Sequence, residues 1–250
     1  MSHQTMQVRT EDGNCPVHAF HPDEKAQWPG VIMFMDGLGV RPALFEMGER
    51  LAAHGYYVLL PDLYYRSGYT ASEGSRLFSD PVLREDWTKR VLPTVTIDKI
   101  MRDMPAFLAL LDESTLVRHG KIGTVGYCLG GKCALAAAAY FPETVAAAAS
   151  YHGGGLATDA SDSPHLLAPR IKARVYVGGA IEDRGFDDTQ KQRLEDALTE
   201  AGVVHTVETY NAKHGWVPTD TPVHDPVAAE KHWQTLFDLF DRALKSSDRA

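Results

Sequence analysis

The stretch KIGTVGYCLGGKCALAAAAYFP, residues 121–142, admits two chemical readings. From Gly126 to Lys132 it has the GxxxxGK spacing of a phosphate-binding loop; from Gly126 to Gly130 it has the GxCxG spacing of a nucleophile elbow, with cysteine in the serine position. Both place the motif on a strand, a tight turn and the start of a helix, so the side chains must separate them. A phosphate loop needs Ser or Thr after its lysine to ligate Mg²⁺, a hard cation that prefers oxygen donors; here Cys133 follows Lys132. In the elbow reading every residue has a use. Gly126 and Gly130 relieve crowding around a strained turn, Gly131 lets the helix start close to the sheet, and Cys128 stands at the tip. The helix N-terminus favours a thiolate there, and the backbone N–H of Leu129 is placed to donate to an oxyanion. Lys132 then becomes a surface residue of the first helical turn.

Around this motif, short runs rich in Val, Ile and Tyr alternate with longer helical patterns. Strands are predicted at 31–37, 56–62, 121–127, 146–153, 173–179 and 205–211, and helices near 42–54, 93–112, 130–141, 188–201 and 227–245. Such alternation predicts an α/β fold with a mostly parallel central sheet and helices on both faces. The opening MQVRTEDGNCPVHAFHP has a DG turn signal between two extended runs, which predicts an N-terminal antiparallel hairpin. No repeat and no low-complexity linker interrupts the pattern, so residues 1–250 are expected to form one domain. The stretch 66–92 is the longest without clear periodicity, as lids and binding loops often are.

An elbow nucleophile needs an orienting acid and then a base, in that chain order. Asp183 follows the predicted strand ARVYVGG, and His214 follows the predicted strand HTVETYN. Both therefore fall past the carboxyl ends of strands, where open α/β sheets bind ligands. Glu182, Asp187 and Asp188 are rivals to Asp183, but they suit a helix N-terminus equally well. His214 competes with ten other histidines, among them His205 at a strand start and His152 after the strand AAAASY, which could line the pocket. Cys15 and Cys133 read as packing residues, because buried cysteine behaves as a small hydrophobe.

Composition narrows the partners. Twenty-five Lys and Arg against 33 Asp and Glu give a net charge of −8, which argues against nucleic acid. No apolar run approaches the roughly 20 residues that span a bilayer, and MSHQTMQVRTEDGN lacks the features of a signal peptide, so a cytoplasmic location is expected. Three cysteines without CxxC spacing suggest neither a metal site nor a disulfide framework.

GYCLGG at 126–131, PDLYYR at 61–66, and Asp183 and His214 in their contexts together resemble the dienelactone hydrolase family, a cysteine-using branch of the α/β hydrolases. The resemblance implies an α/β-hydrolase fold that cleaves a small-molecule ester, lactone or thioester without metal or cofactor, as a monomer or homodimer. It implies that Cys128 attacks the carbonyl, His214 manages the protons and Asp183 orients the imidazole. It further implies that Gly37 supplies the second oxyanion N–H, and that an acid after the third strand contacts the resting thiol. The family has Glu at that place and this chain has Asp36, one methylene shorter. The family also carries an arginine just past its histidine for the substrate carboxylate, where this chain has Pro218. Trp216 would preserve an aromatic wall, and Arg84 or Arg90 would be left to bind an anion. Two other classes stay open on the residues alone: a non-catalytic scaffold of the same fold that binds a ligand, and a degenerate phosphate-loop nucleotide binder.

Overall fold

The N-terminal hairpin forms as expected in the computed structural model, which describes residues 1–71 and 76–245; residues 72–75 of the 66–92 stretch and residues 246–250 lie outside the described residues. Strand β1 (Ser2–Thr10) pairs with β2 (Gly13–His21) from Ser2↔His21 to Thr10↔Gly13. The turn falls on Glu11 and Asp12, and Gly13, at φ +145, already belongs to β2. That backbone angle is one that side chains rarely tolerate, so the DG signal marks the right corner one residue late.

Six parallel strands follow: β3 (Gly30–Phe34), β4 (Tyr57–Pro61), β5 (Ile122–Tyr127), β6 (Val145–Tyr151), β7 (Arg174–Ala180) and β8 (His205–Tyr210). The eight strands lie in the order β1-β2-β4-β3-β5-β6-β7-β8, with β2 antiparallel to β4 and all later pairings parallel. Every residue of β3, β4 and β5 is buried, as only strands covered on both faces can be. The longer helices are α1 (Pro42–Ala53), α4 (Ile97–Glu113), α5 (Leu129–Tyr140), α6 (Asp188–Glu200) and α7 (Pro226–Phe240); α2 (Arg76–Ser79) and α3 (Pro81–Asp86) are short. Close packing between helix and sheet explains two glycines. A Cβ on Gly48 of α1 would lie 2.6 Å from the Phe20 ring, and one on Gly123 of β5 would lie 2.8 Å from Phe240 of α7.

Strand order reverses at β3, with β4 on one side and β5 on the other. In an open α/β sheet that reversal leaves a crevice at the carboxyl ends of the strands. The predicted boundaries hold within a few residues except at two places. Strand β3 stops at Phe34, so Met35 and Asp36 leave the sheet and turn, with the Gly39 N–H donating to the Asp36 carbonyl at 3.2 Å. The 66–92 stretch contains α2, α3 and a wide π-type turn at Trp87–Val91. Its start signal was readable: Asp80 caps α3, accepting from the N–H groups of Val82 and Leu83, and Pro81 occupies the first turn.

Candidate active site

Strand β5 ends at Tyr127 and α5 begins at Leu129, leaving Cys128 alone to make the turn, at φ 52 and ψ −113. For a residue with a side chain this conformation is strained, by about 1–3 kcal/mol, and it persists because the surroundings admit nothing else. The Cys128 N–H donates to the Tyr151 carbonyl at 3.1 Å, and the Gly131 N–H to the Cys128 carbonyl at 3.1 Å. A Cβ on Gly126 would sit 2.0 Å from the Gly130 oxygen, one on Gly130 2.5 Å from the Met35 oxygen, and one on Gly131 2.3 Å from Ser150 Oγ. All three glycines are therefore enforced by contact. Cys128 is partly exposed at the tip, whereas Cys15 and Cys133 are buried. Burial pushes the Cys133 thiol up to about 11 and the Cys15 thiol higher still, which leaves both inert.

The three residues expected as a triad come together. His214 Nε2 lies 3.0 Å from Cys128 Sγ, and His214 Nδ1 lies 2.7 Å from Asp183 Oδ2. The other Asp183 oxygen accepts the Gly185 N–H at 2.8 Å, in a turn where Glu182 adopts φ 51. Desolvation works against both charged partners here but is outweighed. Burial lowers the affinity of His214 for a proton, yet the hydrogen bonds to Asp183 and Cys128 push its pKa up to about 10. Burial likewise opposes ionisation of Asp183, and the His214 hydrogen bond holds its carboxyl below the usual range. The rivals separate cleanly: Asp187 caps α6 through the Gln190 N–H, and Asp188 is a solvent-facing first-turn residue paired with Lys191.

The turn after β3 faces the elbow. The Leu38 N–H donates to Asp36 Oδ1 at 3.0 Å, and the Gly37 carbonyl accepts from the Tyr64 hydroxyl at 2.8 Å. By contrast, the N–H groups of Gly37 and Leu129 have no partner among the described residues. Leu129 is the oxyanion donor expected from the elbow, and Gly37 the one that the family resemblance implies. Tyr64, of the PDLYYR motif, in turn accepts the Trp87 Nε1–H at 3.0 Å, so the otherwise irregular 66–92 stretch is fastened to this turn. The Trp87 ring lies 3.6 Å from where a Cβ on Gly37 would be.

Other expected site residues are placed differently. Asp36 is not engaged with the thiol; its oxygens accept from Arg41 at 2.7 and 2.9 Å as well as from Leu38. Arg41, buried, reaches past it to Asp220 at 2.6 and 3.0 Å. A carboxylate this deep requires a paired cation, and that pairing ties the turn after β3 to the loop after His214. Trp216 is no pocket wall: it is 0 % exposed, stacked on Tyr210 at 4.8 Å and edge-on to His152 at 4.9 Å. The chain turns at Gly215, φ +97, and the indole goes into the core. His152 is likewise fully buried, its ring centre 5.4 Å from that of His214. Arg90 is bound to Asp86 through two nitrogens and donates to the Ser67 carbonyl, and Arg84 is exposed on α3. Sequence reasoning missed Arg41 and Tyr64 as structural partners of the site. Only the PDLYYR motif offered a signal, and that for Tyr64.

The dienelactone hydrolase family model matches residues 16–244. A carboxymethylenebutenolidase of Rhodococcus opacus is 25% identical over 259 aligned residues, covering 97% of this chain and 93% of its own. Among solved structures, the dienelactone hydrolase of Anabaena variabilis superposes with TM-score 0.68 at 22% identity, covering 97% of this chain and 98% of its own. A dienelactone hydrolase-like promiscuous phosphotriesterase from metagenomic libraries reaches TM-score 0.74 at 22% identity, covering 97% and 99%. No helix of the described residues is long and apolar enough to cross a membrane. With the family model covering both the elbow and the loops that meet it, the chain belongs to the dienelactone hydrolase family and is a hydrolase of the carboxylic-ester type.

Proposed function

We propose that the whole chain, residues 1–250, is one catalytic domain that hydrolyses a small-molecule ester, lactone or thioester through an acyl-cysteine on Cys128. The observation that carries this reading is the line from Cys128 Sγ through both His214 nitrogens to Asp183, at 3.0 and 2.7 Å. His214 Nε2, its proton affinity raised by Asp183 and by the sulfur itself, takes and holds the Cys128 proton, and the thiolate sulfur attacks the carbonyl carbon. The oxygen that becomes negative accepts from the Gly37 and Leu129 N–H groups, which have no other partner among the described residues. Collapse breaks the bond to the leaving group, and His214 returns the proton to that group. Water then attacks the acyl-cysteine, giving one proton to His214 as its oxygen bonds to carbon; the carbon–sulfur bond breaks, the acid leaves, and the proton on Nε2 is again shared with the Cys128 sulfur. Asp183 keeps the Nδ1–H pointed away from the sulfur throughout, so that Nε2 carries the proton traffic. These steps need only the chain's own groups and water.

Two features support a substrate other than dienelactone itself. Pro218 stands where the family carries an arginine, and the nearby buried guanidinium of Arg41 is held by Asp36 and Asp220. An acyl group without its own carboxylate fits this site better. Release of p-nitrophenol from p-nitrophenyl acetate by wild type and by Cys128→Ala tests the reading. Turnover by wild type that Cys128→Ala lacks is expected. Equal turnover by both proteins would reject Cys128 as the nucleophile and favour a ligand-binding scaffold.

A further inference from the structure

His152 follows β6 immediately and packs against the imidazole of His214. It adopts φ 40, a conformation uncommon for any residue with a side chain, and its N–H donates to the Gly178 carbonyl of β7 at 2.8 Å. Its ring centre lies 5.4 Å from that of His214, tilted by 58°, and 4.9 Å from that of Trp216. Trp216 stacks in turn on Tyr210, so a column of four rings runs from the core to the proposed base.

A phenyl ring would fill this column without any polar atom. Instead both nitrogens of His152 are buried with no hydrogen-bond partner in another described residue, and Nε1 of Trp216 beside it and Ser150 Oγ of β6 are likewise unpartnered. Unpaired buried polar atoms lower stability, so packing alone does not account for an imidazole at this place. The titratable groups around it are Tyr127 from β5, His232 from α7 and His214 from the loop after β8. Tyr127 and His232 satisfy one another at 3.0 Å, and His232 Nδ1 lies 3.3 Å from the Ala229 carbonyl. His214 is thus the neighbour whose charge changes in the reaction. Burial, then the proximity of His214 and of His232, holds the pKa of His152 well below 6.5, and its ring stays neutral. A neutral imidazole offers a lone pair and a strong dipole, neither of which a phenyl ring has.

We propose that His152 is a positioning residue, an imidazole whose ring contact and dipole hold the His214 ring in line with Cys128 and Asp183 and stabilise the proton that His214 takes from the thiol. This rests on the triad reading. The proton moves from Cys128 Sγ to His214 Nε2 while Nδ1–H stays with Asp183, and His152 neither gains nor loses one.

The test is an NMR titration of the His214 ring in histidine-labelled protein, which needs no substrate and so stands apart from whether an ester is cleaved. In His152→Phe the His214 midpoint is expected to fall by about one pH unit, a tenfold change in proton affinity. The kcat for an activated ester falls about tenfold with KM within twofold, which is the signature of an interaction made in the transition state. His152→Asn tolerates a positive φ and keeps an amide dipole, and its midpoint stays within about 0.3 of wild type. An unchanged midpoint in folded His152→Phe overturns the proposal. So does an equal fall in the Phe and Asn variants, which would mark lost packing rather than a lost dipole. Should His152→Phe fail to fold, His152→Leu set against His152→Asn reads the same contrast.

Discussion

The elbow at residues 126–131 and the stretch at 66–92 meet at one crevice and are built by opposite means. In the elbow, backbone presses on backbone: the space beside Gly126 is taken by the Gly130 carbonyl, and that beside Gly130 by Met35. The 66–92 stretch carries two short helices and the π-type turn, whose charged side chains pair with the end of α3, Lys89 with Glu85 and Arg90 with Asp86, and its tie to the elbow runs through Trp87 and Tyr64. The difference separates two kinds of constraint. Elbow geometry is enforced by a backbone that accepts no extra atom, whereas the 66–92 segment is held by side-chain pairs and by one hydrogen-bonded joint to the turn after β3.

One pair of substitutions breaks or sharpens this contrast most strongly. Gly126→Ala forces a Cβ to within 2.0 Å of a carbonyl oxygen, and we expect it to cost about 3 kcal/mol or more and to abolish turnover. Gly68→Ala, at φ +64 with nothing within 4 Å, meets only the backbone penalty, about 1 kcal/mol. Urea unfolding of the two variants reads both values; similar losses in each would erase the distinction.

A change at the joint between the regions should have an intermediate effect. Tyr64→Phe strands the Trp87 Nε1–H and the Gly37 carbonyl. It should lower stability by about 1–3 kcal/mol and reduce kcat more than it raises KM, because the turn that carries the Gly37 N–H loosens. A change confined to KM would place Tyr64 in recognition instead.

Acid unfolding probes the triad itself. The carboxyl of Asp183 titrates below its ordinary 3.8, so its ionised form contributes stability that is complete above that pH and is lost as pH falls through the lower folded value. The stability gap between wild type and Asp183→Asn should therefore narrow below about pH 4, by chemical denaturation across pH. A gap that widens on acidification would contradict the assigned direction. The smallest effect belongs to Arg84→Ala, on exposed α3. Its stability should stay within about 0.5 kcal/mol of wild type, and KM for a neutral ester should be unchanged. A raised KM for neutral esters would bring this arginine into the pocket.

What could be read in the sequence divides along the same line. GYCLGG names its own geometry, because glycines at fixed spacing about a cysteine have few other uses. Asp183 and His214 were legible because each follows a strand in the order an elbow requires. Asp36 was misread because the carboxylate is answered by Arg41, and Arg41 by Asp220, 179 residues further on. No local pattern encodes a pairing at that distance. Trp216 looked like a pocket wall because proximity to His214 in sequence says nothing about which way the chain turns at Gly215. The burial of His152 was equally hidden, since it depends on the packing of β6, β7 and the loop after β8 together.

The central claim is that Cys128 carries the acyl group. Mass spectrometry of protein quenched during turnover of p-nitrophenyl acetate measures it directly, with Cys15 and Cys133 as internal controls in the same digest. One acetyl group on the peptide that bears Cys128, absent from His214→Gln, is the predicted result. Turnover with no acetyl at Cys128, or with the label on another residue, would contradict it.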